Sequence, residues 1–253
     1  MAATLSTSET EAPSSQPQRA NSRVLDLATN VIVLGALWLL YSGVRGVTAE
    51  EYQVALQNGR EVLSFQHAIG LPSESLLQRD LLGQVGLLKL SNVYYIAAHF
   101  PVTIGFLLFA WGFRREHFGR IRNTLVAVSA VGMVIHLLFP LAPPRMLKPM
   151  FGFIDTGRII GPNPYDLGIA EAANQIAAMP SLHVGWSLIV AIGVIWMFES
   201  KWRWLVLIHP AVTTMVVVVT ANHYWADAII AALLVGMFWL LQSLRLQRVL
   251  RWV

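Results

Sequence analysis

The sequence predicts an all-α fold: a six-span integral membrane helical bundle with interfacial helices between spans 1 and 2. Two observations predict it. The 253 residues are 55% hydrophobic and only 13% charged, and they contain six apolar runs of about the length that crosses a bilayer. The predicted spans are Val24–Val44, Leu87–Phe113, Ile121–Leu141, Ser181–Phe198, Trp204–Ala221 and Tyr224–Leu244. This composition excludes a water-soluble globular domain.

The beginning of the chain differs from its apolar body. Residues 1–20 consist mainly of Ser, Thr, Pro, Gln, Ala and Glu, which predicts a disordered cytoplasmic tail. Residues 21–253 are predicted to form a single transmembrane domain that carries any catalytic residues. The chain has no cysteine, so disulfides and thiolate metal sites are excluded.

The positions of the basic residues predict the orientation of the spans. Eleven of the 18 Lys and Arg residues lie at the two ends of the chain and in the loops after spans 2 and 4, among few acids. Because such basic segments stay on the cytoplasmic side, we expect a multi-pass protein of the cell membrane with both termini in the cytoplasm. A net charge of +4 could indicate nucleic-acid binding, but we attribute it to these basic cytoplasmic segments. We therefore expect a lipid bilayer as partner and no nucleic acid. The oligomeric state is left open.

The segment Thr48–Gly86 carries too many charges to cross a membrane, but its apolar residues recur at helical spacing. Gly70-Leu71-Pro72 interrupts this pattern, and Ser73 is a suitable N-cap for a second helix. We therefore predict two short helices lying on the outer membrane surface. A solvated helical loop is the alternative interpretation.

Two polar motifs stand at the ends of apolar runs about forty residues apart, a spacing that suits two bilayer crossings joined by a hairpin. The first is Met179–Trp186, which contains His183, and the second is Asn222–Asp227, which contains His223. The spacing predicts that both histidines lie at the same membrane face. The positions of the basic residues place that face outside the cytoplasm.

His223 and Asp227 are four residues apart and would share one face of a helix. The carboxylate could then fix the imidazole tautomer and leave the other nitrogen to act as a base or a nucleophile. The alternative is a polar pair that only satisfies its own hydrogen bonds inside the bundle.

The first motif begins with Pro180 and Ser181, which predict a helix start with Ser181 as its cap. An anion would be favoured at that N-terminus, where Ser181 is a candidate phosphate-binding residue. His183, one turn inside, could give a proton to a leaving oxygen beside that anion. The alternative for His183 is an anchor in the headgroup layer.

The long loop between spans 3 and 4 supplies the candidate phosphate-binding cations. Arg145 follows two prolines there, and its guanidinium suits the paired oxygens of a phosphate. Lys148 and Arg158 are further candidates in the same loop. His136, about two turns before Arg145, could line the cavity. For His99 and His209 we expect packing or contact with water.

The combination of Pro180-Ser181-Leu182-His183, His223-Tyr224-Trp225-Ala226-Asp227 and Pro143-Pro144-Arg145 resembles the type 2 phosphatidic acid phosphatase superfamily. The forms Met-Pro-Ser-Leu-His and His-Tyr-Trp-Ala-Asp are more similar to its inositol phosphorylceramide synthase-like branch. The resemblance covers about Val131–Gly236. It implies His223 as the nucleophile, Asp227 as its orienter, His183 as the acid for the leaving group and Arg145 as a phosphate ligand.

Two departures from the phosphatase pattern stand out. Leu182 replaces the glycine of Pro-Ser-Gly-His, and Val216–Val219 occupy the stretch that carries Ser-Arg in the phosphatases. Because one phosphate-binding arginine is missing, the resemblance favours the transferase-like branch over a simple phosphatase.

The leading hypothesis is a membrane enzyme, a phosphatase or more specifically a phosphotransferase, that acts on a lipid phosphate ester or phosphodiester from the extracytoplasmic face. It would form a phosphohistidine and require neither a metal nor another cofactor. A metal site built from two histidines and an aspartate is a second hypothesis, disfavoured because Arg145 would repel the cation. A non-enzymatic protein that binds or transports lipid headgroups is the third.

Overall fold

A computed structural model describes residues 28–32, 35–36, 39, 51–147, 151–162 and 175–250. The chain divides into two compact units, residues 1–39 and 40–253. The described residues of the first unit are helical. The predicted tail and most of the predicted first span lie outside the described residues, and the single domain over 21–253 stays a prediction.

The described part of the second unit is helical and contains no β-strand. An isolated backbone bridge joins Leu141 to Ala177. Among the residues described, 3₁₀ turns occur at Pro144–Met146 and Lys201–Leu207. The helices are α1 (Tyr52–Ala68), α2 (Glu74–Leu81), α3 (Val85–Ala97), α4 (His99–Phe113), α5 (Arg115–Leu138), α6 (Thr156–Ile160), α7 (Leu182–Met197), α8 (Ile208–Val219) and α9 (Trp225–Leu250).

Six spans are not confirmed. Among the described residues, three segments are long and apolar enough to cross a membrane: Arg115–Leu138, Lys201–Val219 and Trp225–Leu244. A fourth is added if α3 and α4, which meet at a 45° bend, form one broken span. The predicted fourth span is the 16-residue helix α7, which is apolar but shorter than the other candidates.

The two helices predicted between spans 1 and 2 are present as α1 and α2. Ser73 caps α2 by accepting a hydrogen bond from the Leu76 amide, as the sequence predicts. Three polar side chains of these helices are buried, namely Gln66, Glu74 and Gln78. Their burial shows that both helices pack against the rest of the unit. Their position at a membrane surface stays a prediction.

Helix α7 lies among α4, α5, α8 and α9, all of which pack against it. Its glycines permit this close packing. A Cβ atom added to Gly185 would be in ordinary contact with Val128 and Ala231, whereas one added to Gly193 would lie 2.5 Å from Cζ of Phe106. The tightest helix contact is therefore at Gly193, near the end of α7 away from Ser181.

We expect the Gly193→Ala variant to lose about 1–3 kcal/mol of stability, because the new methyl group overlaps the ring of Phe106. Denaturant unfolding in detergent measures the loss. Gly112→Ala in α4 is the matched control, because nothing lies within 4 Å of a Cβ atom there. Equal stability of the two variants would contradict the packing described for α7.

Candidate active site

The turn that connects α8 to α9 carries His223. Helix α8 ends at Val219, and the amides of Asn222 and His223 both donate to the Val217 carbonyl, at 3.0 and 3.1 Å. Ala221 in this turn adopts a φ of +54°, a left-handed conformation that non-glycine residues rarely take. The turn is therefore tightly held, and His223 has a fixed backbone position.

The hydrogen bonds of His223 define its tautomer. Its Nδ1 lies 2.8 Å from the carbonyl oxygen of Ala178 and 3.2 Å from Oδ2 of Asp227. A carbonyl oxygen only accepts hydrogen bonds, so Nδ1 carries the proton and donates it. The lone pair of the neutral ring therefore lies on Nε2, as a nucleophile requires.

The sequence prediction placed His223 and Asp227 on one helix face, and this detail is wrong. Helix α9 begins at Trp225, so His223 precedes it, and only Asp227 lies in its first turn. The contact forms because the carboxylate reaches back: its Oδ2 also accepts from the Tyr224 amide, at 2.9 Å. Asp227 is thus both a helix cap and a partner of the imidazole.

The protonation state of His223 suits the same chemistry. The side chain is 6% exposed, and this burial, with the nearby charge of Arg145, lowers the pKa of His223 to about 4, although the Ala178 carbonyl opposes the shift. Since a lowered pKa means that the proton is lost above that value, the imidazole is neutral at physiological pH.

His183 is the second residue of α7, and the structure brings it close to His223. The centroids of the two rings are 5.8 Å apart. The ring of His183 also stacks on Tyr95, with centroids 4.3 Å apart, and lies 4.2 Å from the ring of His99. These contacts, which sequence reasoning missed, fix the plane of the His183 imidazole.

Arg145 is buried beside the turn that carries His223, with 5% exposure. Its amide donates to the Ala221 carbonyl at 2.9 Å, and its Nε donates to Oδ1 of Asn222 at 3.0 Å. One of its terminal nitrogens lies 3.9 Å from a carboxylate oxygen of Asp155. One cleft is lined by Arg145 with its side-chain partners Asn222 and Asp155, and also by Asn92, Tyr95, Gly157 and Thr220.

Asp155 and Asn222 were not predicted from the sequence. Asp155 is also the N-cap of α6, where its carboxylate accepts from the Arg158 amide. An Asp that precedes Thr-Gly-Arg carries a weak capping signal, but its proximity to Arg145 depends on tertiary packing. The exposed guanidinium of Arg158 lies 3.7 Å from the same carboxylate oxygen that Arg145 approaches.

The remaining predicted residues have different outcomes. Ser181 is fully buried and caps α7, as predicted, by accepting from the Val184 amide. Its own amide donates to the carbonyl of Asp227, which ties the two motifs together. His136 is buried in α5, and Lys148 lies outside the described residues. Phosphate binding by Ser181 and Lys148 stays a prediction.

The stretch that replaces Ser-Arg forms the last turn of α8. All four valines, Val216–Val219, are buried, and Val217 and Val218 pack against Val184 of α7 and Ala228 of α9. Within the described ranges, no group of three or more His, Asp or Glu side chains is arranged to hold a metal ion.

We expect His223 to remain the neutral Nδ1–H tautomer from pH 5 to 8, because its carbonyl partner requires that proton and the ring gains a second one only near pH 4. The ¹⁵N chemical shifts of histidine-labelled protein in detergent measure this, with His223→Ala used to assign the signal. A signal that titrates near pH 6.5, or that shows the Nε2–H tautomer, would contradict the geometry.

Comparison with known proteins gives one match. No curated protein and no solved structure matches the chain. The family model described as the PAP2 superfamily matches residues 60–241, a range that extends the resemblance seen in the motifs back to α1. The match covers more than half of the chain and includes Arg145, His183, His223 and Asp227. The chain therefore belongs to the PAP2 superfamily.

Proposed function

We propose that this protein is an integral membrane enzyme that moves a phosphoryl or phospho-headgroup from a lipid through a phosphohistidine at His223. The observation that carries the proposal is the Nδ1 hydrogen bond to the Ala178 carbonyl, because it leaves the Nε2 lone pair for attack. Membership of the PAP2 superfamily supports a phosphatase-type reaction at a phosphate ester.

In the first step, Nε2 of His223 attacks phosphorus and forms an N–P bond while the bond from phosphorus to the lipid alcohol breaks. A protonated His183 gives its proton to the departing oxygen. The distance of 5.8 Å between the two ring centroids lets both imidazoles reach one phosphate group. In the second step, water or another alcohol attacks phosphorus, the N–P bond breaks, and His183 takes the proton of the attacking hydroxyl.

Asp227 acts during the first step. When Nε2 bonds to phosphorus, the imidazole becomes a cation, and the carboxylate of Asp227 stabilises it from 3.2 Å at Nδ1. The Ala178 carbonyl contributes a second acceptor at the same nitrogen. Both hydrogen bonds from Nδ1 strengthen as positive charge develops on the ring, so they stabilise the phosphohistidine intermediate more than the free imidazole.

Arg145 binds the anionic oxygens. Asn222 holds the guanidinium at Nε, and Asp155 lies beside a terminal nitrogen. A phosphate in this cleft would replace the distant carboxylate as a partner of that nitrogen. Ser181 and Lys148 complete the proposed set of phosphate ligands.

Transfer to an alcohol is the more specific form of the proposal, as in the inositol phosphorylceramide synthase-like branch. The buried stretch Val216–Val219 provides no second arginine, and two of its valines, Val216 and Val217, line a cavity together with His183. These apolar side chains disfavour water and favour a lipid alcohol as acceptor. The basic residues of the predicted cytoplasmic segments support a reaction at the extracytoplasmic face. No metal is needed in these steps.

Purified protein in detergent should convert members of a phospholipid panel, tested with and without a diacylglycerol- or ceramide-like acceptor. A new phosphodiester indicates transfer, and released phosphate indicates hydrolysis. We expect His223→Ala to retain its fold but to lose both activities, because no nucleophile remains. Substrate labelled with ³²P should mark the wild-type chain with an acid-labile, base-stable phosphate at His223.

Three controls accompany that panel. His67→Ala removes an exposed histidine of α1 and should leave activity unchanged. Vanadate should inhibit an enzyme of this type but not a lipid-binding protein, and a chelator should have no effect if the reaction needs no metal. Turnover by His223→Ala, or labelling at another residue, would exclude the mechanism.

Arg145→Lys should raise KM for the lipid phosphate by about tenfold or more, because an ammonium keeps the charge but loses the bidentate geometry. Initial rates across substrate concentration measure this effect. Arg158→Lys is the matched control, since that side chain contacts the same carboxylate of Asp155 but is 64% exposed. Equal KM values for the two variants would remove Arg145 from the phosphate site.

A further inference from the structure

Helix α2 presents two fully buried polar side chains on one face. Glu74 and Gln78 are four residues apart, 0% and 1% exposed, and point to the same side of the helix. Burial of a carboxylate and an amide is costly unless their hydrogen bonds are satisfied. Their partners are therefore informative about what α2 does.

Glu74 holds the start of α9. Its Oε1 accepts from the Trp225 amide at 3.1 Å and also from the side-chain amide of Gln66 in α1. The Oε1 of Gln66 accepts in turn from the Ala226 amide, at 3.4 Å. The first-turn amides of a helix have no partner within the helix, and here a carboxylate–amide pair from two other helices satisfies two of them.

Gln78 holds the other side of the same turn. Its Nε2 donates to the carbonyl of Val219, the last residue of α8, at 3.0 Å. The same side chain also pairs with the backbone of Ile154, accepting from its amide at 2.8 Å and donating to its carbonyl at 2.9 Å. Ile154 immediately precedes Asp155, so Gln78 also fixes the loop that reaches Arg145.

The turn that carries His223 is thus hydrogen-bonded at both ends by three side chains, Gln66, Glu74 and Gln78, here called the bracket. The turn has only five residues between α8 and α9, which end at Val219 and begin at Trp225. Displacement of either helix end would move the imidazole relative to Ala178 and His183.

The bracket also leaves Asp227 available to His223. Oδ2 of Asp227 accepts from the Tyr224 amide and faces Nδ1 of His223. The next two amides, of Trp225 and Ala226, are held by Glu74 and Gln66 and not by Asp227. Capping from outside the helix thus leaves the contacts of this oxygen with Tyr224 and His223 in place.

We propose that the bracket is a positioning device for the phosphoryl-transfer reaction: Glu74, with Gln66 and Gln78, sets the place of His223 and Asp227 without touching the substrate. This inference rests on the proposed function. It gives α1 and α2 a role in the chemistry, although they carry none of the reacting groups.

The test compares Glu74→Gln, the double variant Gln66→Glu/Glu74→Gln, and wild type with the same lipid substrate. Glu74→Gln removes the charge that holds the Trp225 amide, so we expect kcat to fall about tenfold while KM stays within about twofold. The double variant restores one carboxylate and one amide in exchanged positions and should recover most of kcat. Glu61→Gln, an exposed glutamate of α1, is the matched control and should match wild type.

Each outcome bears on the inference. An unchanged kcat in Glu74→Gln, a raised KM alone, or a folded double variant no more active than Glu74→Gln would overturn it. If Glu74→Gln does not fold, the double variant decides: recovered activity supports the bracket, and a folded but inactive protein refutes it. A wild-type protein inactive on every phospholipid would instead contradict the proposed function, so the two failures are distinguishable.

Discussion

The site depends on one hydrogen bond, from Nδ1 of His223 to the carbonyl of Ala178. That carbonyl is itself fixed by backbone pairing, because the Ala178 amide donates to the Leu141 carbonyl and the Leu141 amide donates to that of Ile176. The segment before α7, the segment after α5 and the turn before α9 are thus joined at one imidazole. The tautomer of His223 is therefore a property of the tertiary fold and not of the turn that carries it.

Helix termini do most of the positioning around this imidazole. Ser181 caps α7, and Asp155 caps α6. At the start of α9, Asp227 accepts from the Tyr224 amide and Glu74 from the Trp225 amide. A buried carboxylate is stabilised at a helix N-terminus by the partial positive charge of those amides. The acidic groups can therefore stay within a largely apolar bundle, where they order the chain and remain close to the reacting residues.

Local chemistry explains what the sequence predicted well. Ser73 and Ser181 are caps because a hydroxyl immediately before a helix satisfies an amide three residues on. Contacts between distant segments were not predictable: His99 and Tyr95 approach His183 only through helix packing, and Glu74 meets Trp225 across 151 positions. The spacing of His223 and Asp227 likewise could not show that His223 precedes α9. Residues four apart can meet across the turn before a helix as well as on one helix face.

The short length of α7 has a consequence for how a substrate reaches the site. Its 16 residues rise about 24 Å, whereas the hydrocarbon core of an ordinary bilayer is about 30 Å thick. Because α4, α5, α8 and α9 pack against α7, its length does not have to match the thickness of the surrounding lipid. If the bundle spans a bilayer as the sequence predicts, His183 at the start of this short helix would lie below the headgroup layer. A lipid substrate would then have to bring its phosphate down between the helices to reach the two imidazoles.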